Sequence, residues 1–191
     1  MPLAPSAIGE DELPYPPPGP ELRRAALRGK LLHQLFERLP GVPPAARAAR
    51  AAHWLERSAG VDDAAFRDSL VADACRVVEH PEFAELFGAG ALAEAPIAAV
   101  VGEGIVVAGT ADRLLVADDR ILVADFKTGR RVPETPAEVS PSHLRQMAAY
   151  RAALRVIFPD RPVEAALLYT SGPVLHPLPT VLLDAHAPAG S

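Results

Sequence analysis

The sequence is poor in cysteine, which excludes several classes of site. Its 191 residues include one cysteine, Cys75. A single cysteine cannot form an intramolecular disulfide, and it cannot supply the thiolates of a structural zinc cage or an iron–sulfur cluster. We therefore interpret Cys75 as a buried structural thiol in a predicted helix.

Long apolar runs and a signal peptide are also lacking. No apolar run approaches the roughly 20 residues that a membrane span requires. Residues 1–20 contain seven prolines and have neither the basic start nor the apolar run of a signal peptide. We expect a cytoplasmic protein that does not contact a membrane and whose residues 1–20 form a Pro-rich disordered linker.

Net positive charge is absent overall, but basic residues are concentrated in one segment. The chain carries 19 Lys and Arg against 24 Asp and Glu, a net charge of −5. Residues 21–57 hold eight of the basic side chains and only three Glu, so the remainder is strongly acidic. This asymmetry fits a protein that contacts phosphate on one side and binds cations on the other. It fits an ordinary solvated helix surface equally well.

Hydrophobic spacing predicts helices first, then three strands, one helix and two strands. Helical spacing indicates helices at 21–39, near 44–58, near 62–79 and at 81–87. Short runs of Val, Ile and Leu indicate strands at 94–101, 104–117 and 120–126. A helix near 141–157 and strands at 163–170 and 174–183 follow. We assign 21–90 to a helical region, 91–185 to the catalytic core and 186–191 to a tail.

The segment 109–129, GTADRLLVADDRILVADFKTG, predicts a β-hairpin. Two alternating runs flank Asp118-Asp119, which suits a two-residue turn. With that turn, Asp112 faces Asp125 across the ladder, and Lys127 lies on the same face of the sheet. A slip of one residue would place the two aspartates on opposite faces.

Two carboxylates placed opposite each other repel, and this repulsion indicates a chemical role. At a separation of about 4.5–5.5 Å between Cβ atoms they need a shared proton or a cation. A hard divalent ion such as Mg²⁺ or Mn²⁺ satisfies that need, and Lys127 can position a water molecule or stabilise charge on phosphorus. Asp112, Asp125 and Lys127 therefore predict phosphodiester hydrolysis. The alternative is a surface hairpin with solvated acids and a lysine salt bridge.

These residues resemble the motif of the PD-(D/E)XK nuclease superfamily, with Asp112 in GTADRL and Asp125-Phe126-Lys127 in VADFKTG. More narrowly, the chain resembles RecB-type nuclease domains, in particular the C-terminal nuclease domain of AddA helicase–nucleases. The likeness runs from about residue 21 to residue 184 and includes three more segments, GKLLHQLFERLP, AEAPI and LRQMAAYRAAL. It implies an α/β restriction-endonuclease-like fold, a mixed sheet flanked by helices with an N-terminal helical extension.

The resemblance also implies a role for each matching residue. The catalytic residues would be Asp112, Asp125 and Lys127. The ligands of Mg²⁺ or Mn²⁺ would be His33, Asp112, Asp125 and the carbonyl of Phe126. Gln146 and Tyr150 would contact DNA or orient Lys127, and Glu94 would be an outer acid of the site. Arg130 follows the catalytic strand, a position that fits contact with phosphate and an ordinary surface arginine equally well.

The implied function is a metal-dependent deoxyribonuclease, with exonuclease action expected, that processes double-strand breaks for recombinational repair. The sequence contains no P-loop motif, so a motor would lie elsewhere. The expected partners are DNA, a helicase motor domain and an AddB-like subunit. One alternative is a catalytically silent module that binds DNA or docks a partner. A glycosidase with two carboxylates is another, disfavoured by the adjacent lysine and the scarcity of aromatic residues.

Overall fold

A computed structural model describes residues 19–188 of the chain. The helices are α1 (Pro20–Arg38), α2 (Pro44–Arg57), α3 (Ala64–Val78), α4 (Pro141–Ile157) and α5 (Thr180–Asp184). The strands are β1 (Ala91–Val101), β2 (Ile105–Val116), β3 (Ile121–Lys127), β4 (Val163–Tyr169) and β5 (Val174–Pro177). The predictions made for residues 1–18 and 189–191 fall outside the described residues.

The strands form one five-stranded sheet in chain order, β1-β2-β3-β4-β5. The pairs β1–β2, β2–β3 and β4–β5 are antiparallel, whereas β3 and β4 are parallel. A parallel pair needs a crossover connection, and α4 forms the helix of that crossover. The mixed sheet that the sequence predicted is therefore confirmed.

Helices cover both faces of the sheet. One buried cluster joins α1, α2 and α3 to the sheet, and its members include Leu32, Leu35, Phe36, Leu55, Leu70 and Phe126. A second cluster lies under α4 and α5, with Val123, Met147, Tyr150, Leu167 and Leu183 among its members. Within residues 19–188 no helix is both long and apolar enough to cross a membrane.

The hairpin register agrees with the two-residue turn at 118–119. Residues 113–116 of β2 pair with residues 121–124 of β3. The ladder ends there, one position before Asp112 and Asp125. The two aspartates thus lie beyond the last backbone pair. The prediction that their side chains share one face is wrong, because Asp112 contacts His33 on α1 and Asp125 contacts Gln146 on α4, which covers the other face of the sheet.

The alternation of side chains along β2 is interrupted at Asp112. Ala111 packs in the cluster under α4, but Leu115 packs in the cluster under α1–α3. A regular strand would place both residues on one face. On β1, Glu94 lies opposite Asp112 in the register and has a φ of 48°. A positive φ at a non-glycine residue is strained and is maintained only by surrounding structure. The two irregular positions are both acidic residues of the candidate site.

The prediction of a strand over 174–183 is wrong beyond residue 177. The structure has a four-residue strand followed by the short helix α5. Pro177 and Pro179 have no N–H group to continue a ladder. The N–H groups of Leu182 and Leu183 instead donate to the carbonyl of Pro179, which begins the helix.

Two other element boundaries differ at prolines. Pro20, predicted to lie in the linker, starts α1, because proline has the backbone angle of a first helical residue and needs no N–H partner there. The helix predicted at 81–87 is only a 3-10 turn, Pro81–Phe83.

Replacing Phe36 by alanine should loosen α1 from the sheet. The Phe36 ring is fully buried, and its centroid lies 5.0 Å from that of Phe126. We expect Phe36→Ala to lower the free energy of unfolding by about 3–5 kcal/mol, measured by urea denaturation. Leu92→Ala is the control, because Leu92 is 55% exposed, and should change it by less than about 0.5 kcal/mol. If Phe36→Ala and Leu92→Ala changed the free energy of unfolding equally, the packing of α1 on the sheet would be contradicted.

Candidate functional site

Charged and polar side chains from four elements meet at the end of the hairpin opposite its turn. α1 contributes His33, β2 contributes Asp112, β3 contributes Asp125 and Lys127, and α4 contributes Gln146. A groove of about 620 Å³ passes the cluster and is lined by Lys30, His33, Glu37, Glu94, Asp112, Thr128 and small residues of α1. We call it the acidic groove.

Asp112 connects three elements through its two carboxylate oxygens. Its Oδ1 lies 3.1 Å from Nδ1 of His33 on α1. Its Oδ2 accepts the backbone N–H of Phe126 on β3 at 2.5 Å. The second bond replaces a ladder contact at the point where the pairing of β2 with β3 has ended. The carboxylate therefore fixes both the helix and the strand relative to β2.

The surroundings of His33 favour its protonated form. Burial lowers the pKa of the imidazole. The hydrogen bond to Asp112 and the negative charges of Asp112, Asp125 and Glu94 together outweigh burial, so the pKa is raised overall. The ring packs edge-on against Phe126, with centroids 5.7 Å apart. Nε2 of His33 makes no hydrogen bond within residues 19–188. A histidine whose Nδ1–H is held by a carboxylate is oriented to offer Nε2 to a metal ion.

Asp125, Lys127 and Gln146 form a closed triangle of hydrogen bonds. Nζ of Lys127 lies 2.6 Å from Oδ2 of Asp125 and donates to Oε1 of Gln146 at 2.9 Å. The Gln146 amide nitrogen donates to Oδ1 of Asp125 at 3.0 Å. All three side chains are largely buried. The ammonium group is thus held in one position by two acceptors.

Positive charge at the site compensates the acids only in part. Burial, and then the charge of Asp112, raises the pKa of Asp125, and Lys127 offsets this only in part. Burial and the charge of Asp112 likewise raise the pKa of Glu94. Within residues 19–188 no group of three or more His, Cys, Asp or Glu side chains is already arranged as a metal cage. The donor set, carboxylates with one imidazole, nevertheless fits a hard divalent cation, which would relieve the repulsion.

Gln146 and Tyr150 lie beneath the site. The Tyr150 ring is fully buried, and its hydroxyl donates to the carbonyl of Thr110 at 2.6 Å. Burial, and next the charge of Asp125, raises the pKa of Tyr150 to about 12. Of the two roles predicted for this pair, contact with DNA and orientation of Lys127, the geometry favours orientation for Gln146. Tyr150 holds β2 two residues before Asp112.

Two further polar residues were missed from the sequence. Arg113 is buried, donates to the carbonyl of Phe36 on α1 and lies over the ring of Phe87 at 5.1 Å. His143 lies one turn before Gln146, and burial followed by the charge of Lys127 lowers its pKa to about 4. In the sequence, Arg113 could have been recognised because it is a charged residue inside an apolar strand. The i, i+3 spacing to Gln146 was the signal for His143.

Arg130 does not join the acidic cluster. It is exposed and lines a separate groove of about 670 Å³, together with Arg24, Arg28, Phe66 and other residues. We call it the basic groove. It shares the lining residues Ala25 and Thr128 with the acidic groove, so the two grooves adjoin. The metal-binding role predicted for the carbonyl of Phe126 stays a prediction.

Comparisons with known proteins bear on the family. A model of the PD-(D/E)XK nuclease superfamily matches residues 10–181. A solved structure titled "Crystal structure of SSO0001" is 12% identical, with a TM-score of 0.36, and the alignment covers 85% of this chain and 82% of that chain. No curated protein matches the chain. The mixed sheet with flanking helices agrees with a restriction-endonuclease-like α/β fold.

The protonation of His33 should depend on Asp112. In the metal-free protein we expect the imidazole pKa to lie above its ordinary value, and Asp112→Asn should lower it, because burial persists while the charge of Asp112 is lost. Titration of the histidine resonances by NMR measures both. His143, with a pKa of about 4, is the internal control and should titrate alike in both proteins. Identical titration curves of His33 in the wild type and in Asp112→Asn would contradict the contact between His33 and Asp112.

Proposed function

Because the chain belongs to the PD-(D/E)XK nuclease superfamily, we propose that it is a deoxyribonuclease dependent on Mg²⁺ or Mn²⁺. One observation carries the proposal. The ammonium of Lys127 is fixed by Asp125 and Gln146 on the side of α4, while Asp112 and His33 contact each other and line an open groove on the side of α1. Two acids, a lysine and an imidazole at a groove are the groups that metal-assisted phosphodiester hydrolysis requires.

The proposed metal ligands are His33, Asp112, Asp125 and the carbonyl of Phe126, with Glu94 at the margin of the site. Asp112 and Asp125 supply anionic oxygens, which Mg²⁺ and Mn²⁺ prefer. A divalent cation bound there supplies Lewis-acid polarisation of the phosphoryl oxygens and neutralises charge. Burial, and then the charge of Asp112, raises the pKa values of Asp125 and Glu94, and these shifts support the assignment because a bound cation would relieve the repulsion among the carboxylates.

The catalytic role proposed for Lys127 follows from its immobilisation. Its Nζ has hydrogen bonds to Asp125 and Gln146, and the group keeps a third N–H donor. That donor is able to orient an attacking water molecule or to stabilise negative charge on the phosphoryl oxygens. Because Gln146 holds the ammonium before substrate arrives, little reorganisation accompanies the reaction.

We further infer that the chain is a RecB-type nuclease domain related to that of AddA. Its role would be the processing of double-strand breaks for recombinational repair, with exonuclease action, alongside a helicase motor domain and an AddB-like subunit. The support is the order of motifs, from His33 through Asp112, Asp125 and Lys127 to Gln146 and Tyr150. The sequence has no P-loop motif, so unwinding driven by ATP would need a motor on another domain or chain.

Asp125→Asn should abolish cleavage without weakening the fold. We expect the rate on end-labelled linear DNA with Mn²⁺ to fall at least about 10²-fold, and chelation by EDTA to stop the wild type. Because the raised pKa of Asp125 disfavours its charged form in the folded state, wild-type stability should fall as pH rises above the ordinary carboxyl value, and the neutral variant should lack this loss. Asp118→Asn, at the exposed hairpin turn, is the matched control.

Two outcomes would contradict the proposed nuclease. One is that Asp125→Asn cleaves DNA as fast as the wild type and Asp118→Asn do, which would show that Asp125 has no role in the reaction. Alternatively, the wild type with Mn²⁺ cleaves no DNA and calorimetry detects no binding of Mn²⁺. The second result would favour a catalytically silent module that binds DNA or docks a partner.

A further inference from the structure

The basic groove and the acidic groove adjoin at Ala25 and Thr128, and we call the two together the channel. The lining residues at its two ends differ in charge. Three arginines, Arg24, Arg28 and Arg130, line the basic groove against two carboxylates, Glu21 and Asp73. The acidic groove has Lys30 and His33 against three carboxylates. An acidic compartment suits a cation, whereas a basic compartment beside it suits the phosphates of a chain that reaches the cation.

One carboxylate of the basic groove is already neutralised. Asp73 on α3 pairs with Arg28 through one oxygen and with Arg76 through the other, at 2.5 Å for Arg76. Asp73 therefore adds no uncompensated negative charge to the groove. Arg130 is exposed and has no ion-pair partner within residues 19–188.

The groove also has a flat stacking surface. The guanidinium of Arg24 on α1 lies 4.8 Å from the centre of the Phe66 ring on α3. The Arg24 side chain is 63% exposed and pairs with Asp63, itself 52% exposed, at 3.2 Å. An exposed pair of this kind contributes little energy, so a phosphate is able to replace the carboxylate. Nucleobases stack on aromatic rings and on guanidinium planes.

Small residues keep the two grooves connected. Ala25 and Thr128 line both grooves. At Gly29, one turn further along α1, a Cβ atom would lie 2.6 Å from Oγ1 of Thr128. The helix thus approaches the loop after β3 as closely as a glycine permits, and Ala25 places only a methyl group where the two grooves adjoin.

We propose that the basic groove binds the single strand of DNA that continues from the scissile phosphate. Arg24, Arg28 and Arg130 contact its phosphates, and one base stacks on the surface formed by Arg24 and Phe66. A single strand is favoured over a duplex because only an unpaired base exposes its face for stacking. This inference rests on the proposed function, which places the scissile phosphate in the acidic groove.

The test measures binding without cleavage. Fluorescence anisotropy of a labelled 20-nucleotide oligo-dT in EDTA gives Kd at several salt concentrations. The double variant Arg24→Gln/Arg130→Gln should weaken binding at least tenfold at low salt. It should also flatten the dependence of log Kd on log salt by about 1.4, since each single-strand phosphate contact contributes about 0.7. Arg50→Gln/Arg155→Gln removes two exposed arginines outside both grooves and is the matched control.

A second pair of variants tests the passage without changing charge. Ala25→Phe should weaken binding of the oligonucleotide by obstructing the channel, and the salt dependence should keep its slope. Ala49→Phe makes the same change at an exposed position of α2 and should bind as the wild type does. Circular dichroism confirms that both variants fold.

The outcomes separate this inference from the proposed nuclease activity. A loss of binding confined to the Arg24/Arg130 and Ala25 variants supports the groove, whether or not the wild type cleaves DNA. An unchanged Kd in these variants, in a wild type that cleaves DNA, overturns the groove and not the nuclease. Equal losses of oligonucleotide binding in the variants and in their controls also overturn the inference that the basic groove binds DNA.

Discussion

The carboxylate of Asp112 is the contact on which the candidate site depends. One oxygen meets His33 of α1, and the other accepts the N–H of Phe126 on β3. These bonds lie where the β2–β3 ladder has ended and where the alternation of β2 changes face. After burial, the same charge is the next cause that raises the pKa values of Asp125 and Glu94, and the contact with Asp112 raises that of His33 against the effect of burial. The positions of α1 and β3 at the site and the pKa shifts of its ionisable groups therefore both depend on Asp112.

Around Asp112, charge is distributed to suit an anionic polymer and a cation together. Lys127 is fixed on the side of α4 by Asp125 and Gln146, while the acidic groove opens on the side of α1. The basic groove continues from it past Ala25 and Thr128. The net charge of −5 hides this arrangement, because bulk charge does not report where opposite charges are separated within one protein.

Local patterns predicted most of the fold. The helix and strand order and the hairpin register are confirmed, as is membership of the PD-(D/E)XK superfamily; the RecB-type and AddA assignments remain proposals. The strand predicted over 174–183 was too long because its apolar residues were given more weight than Pro177 and Pro179, which cannot continue a ladder. Arg113 escaped prediction because its burial depends on the carbonyl of Phe36, 77 residues away. The roles of the predicted site residues stay predictions, since sequence spacing does not reveal which side chains share a cation.

Diffraction from crystals soaked in Mn²⁺, with anomalous data collected for manganese, tests the central claim most directly. The account predicts one anomalous peak within about 2.0–2.6 Å of carboxylate oxygens of both Asp112 and Asp125, with Nε2 of His33 turned toward it. The contradicting result is the absence of a peak at the two aspartates under saturating Mn²⁺, with the Asp125–Lys127 pair unchanged.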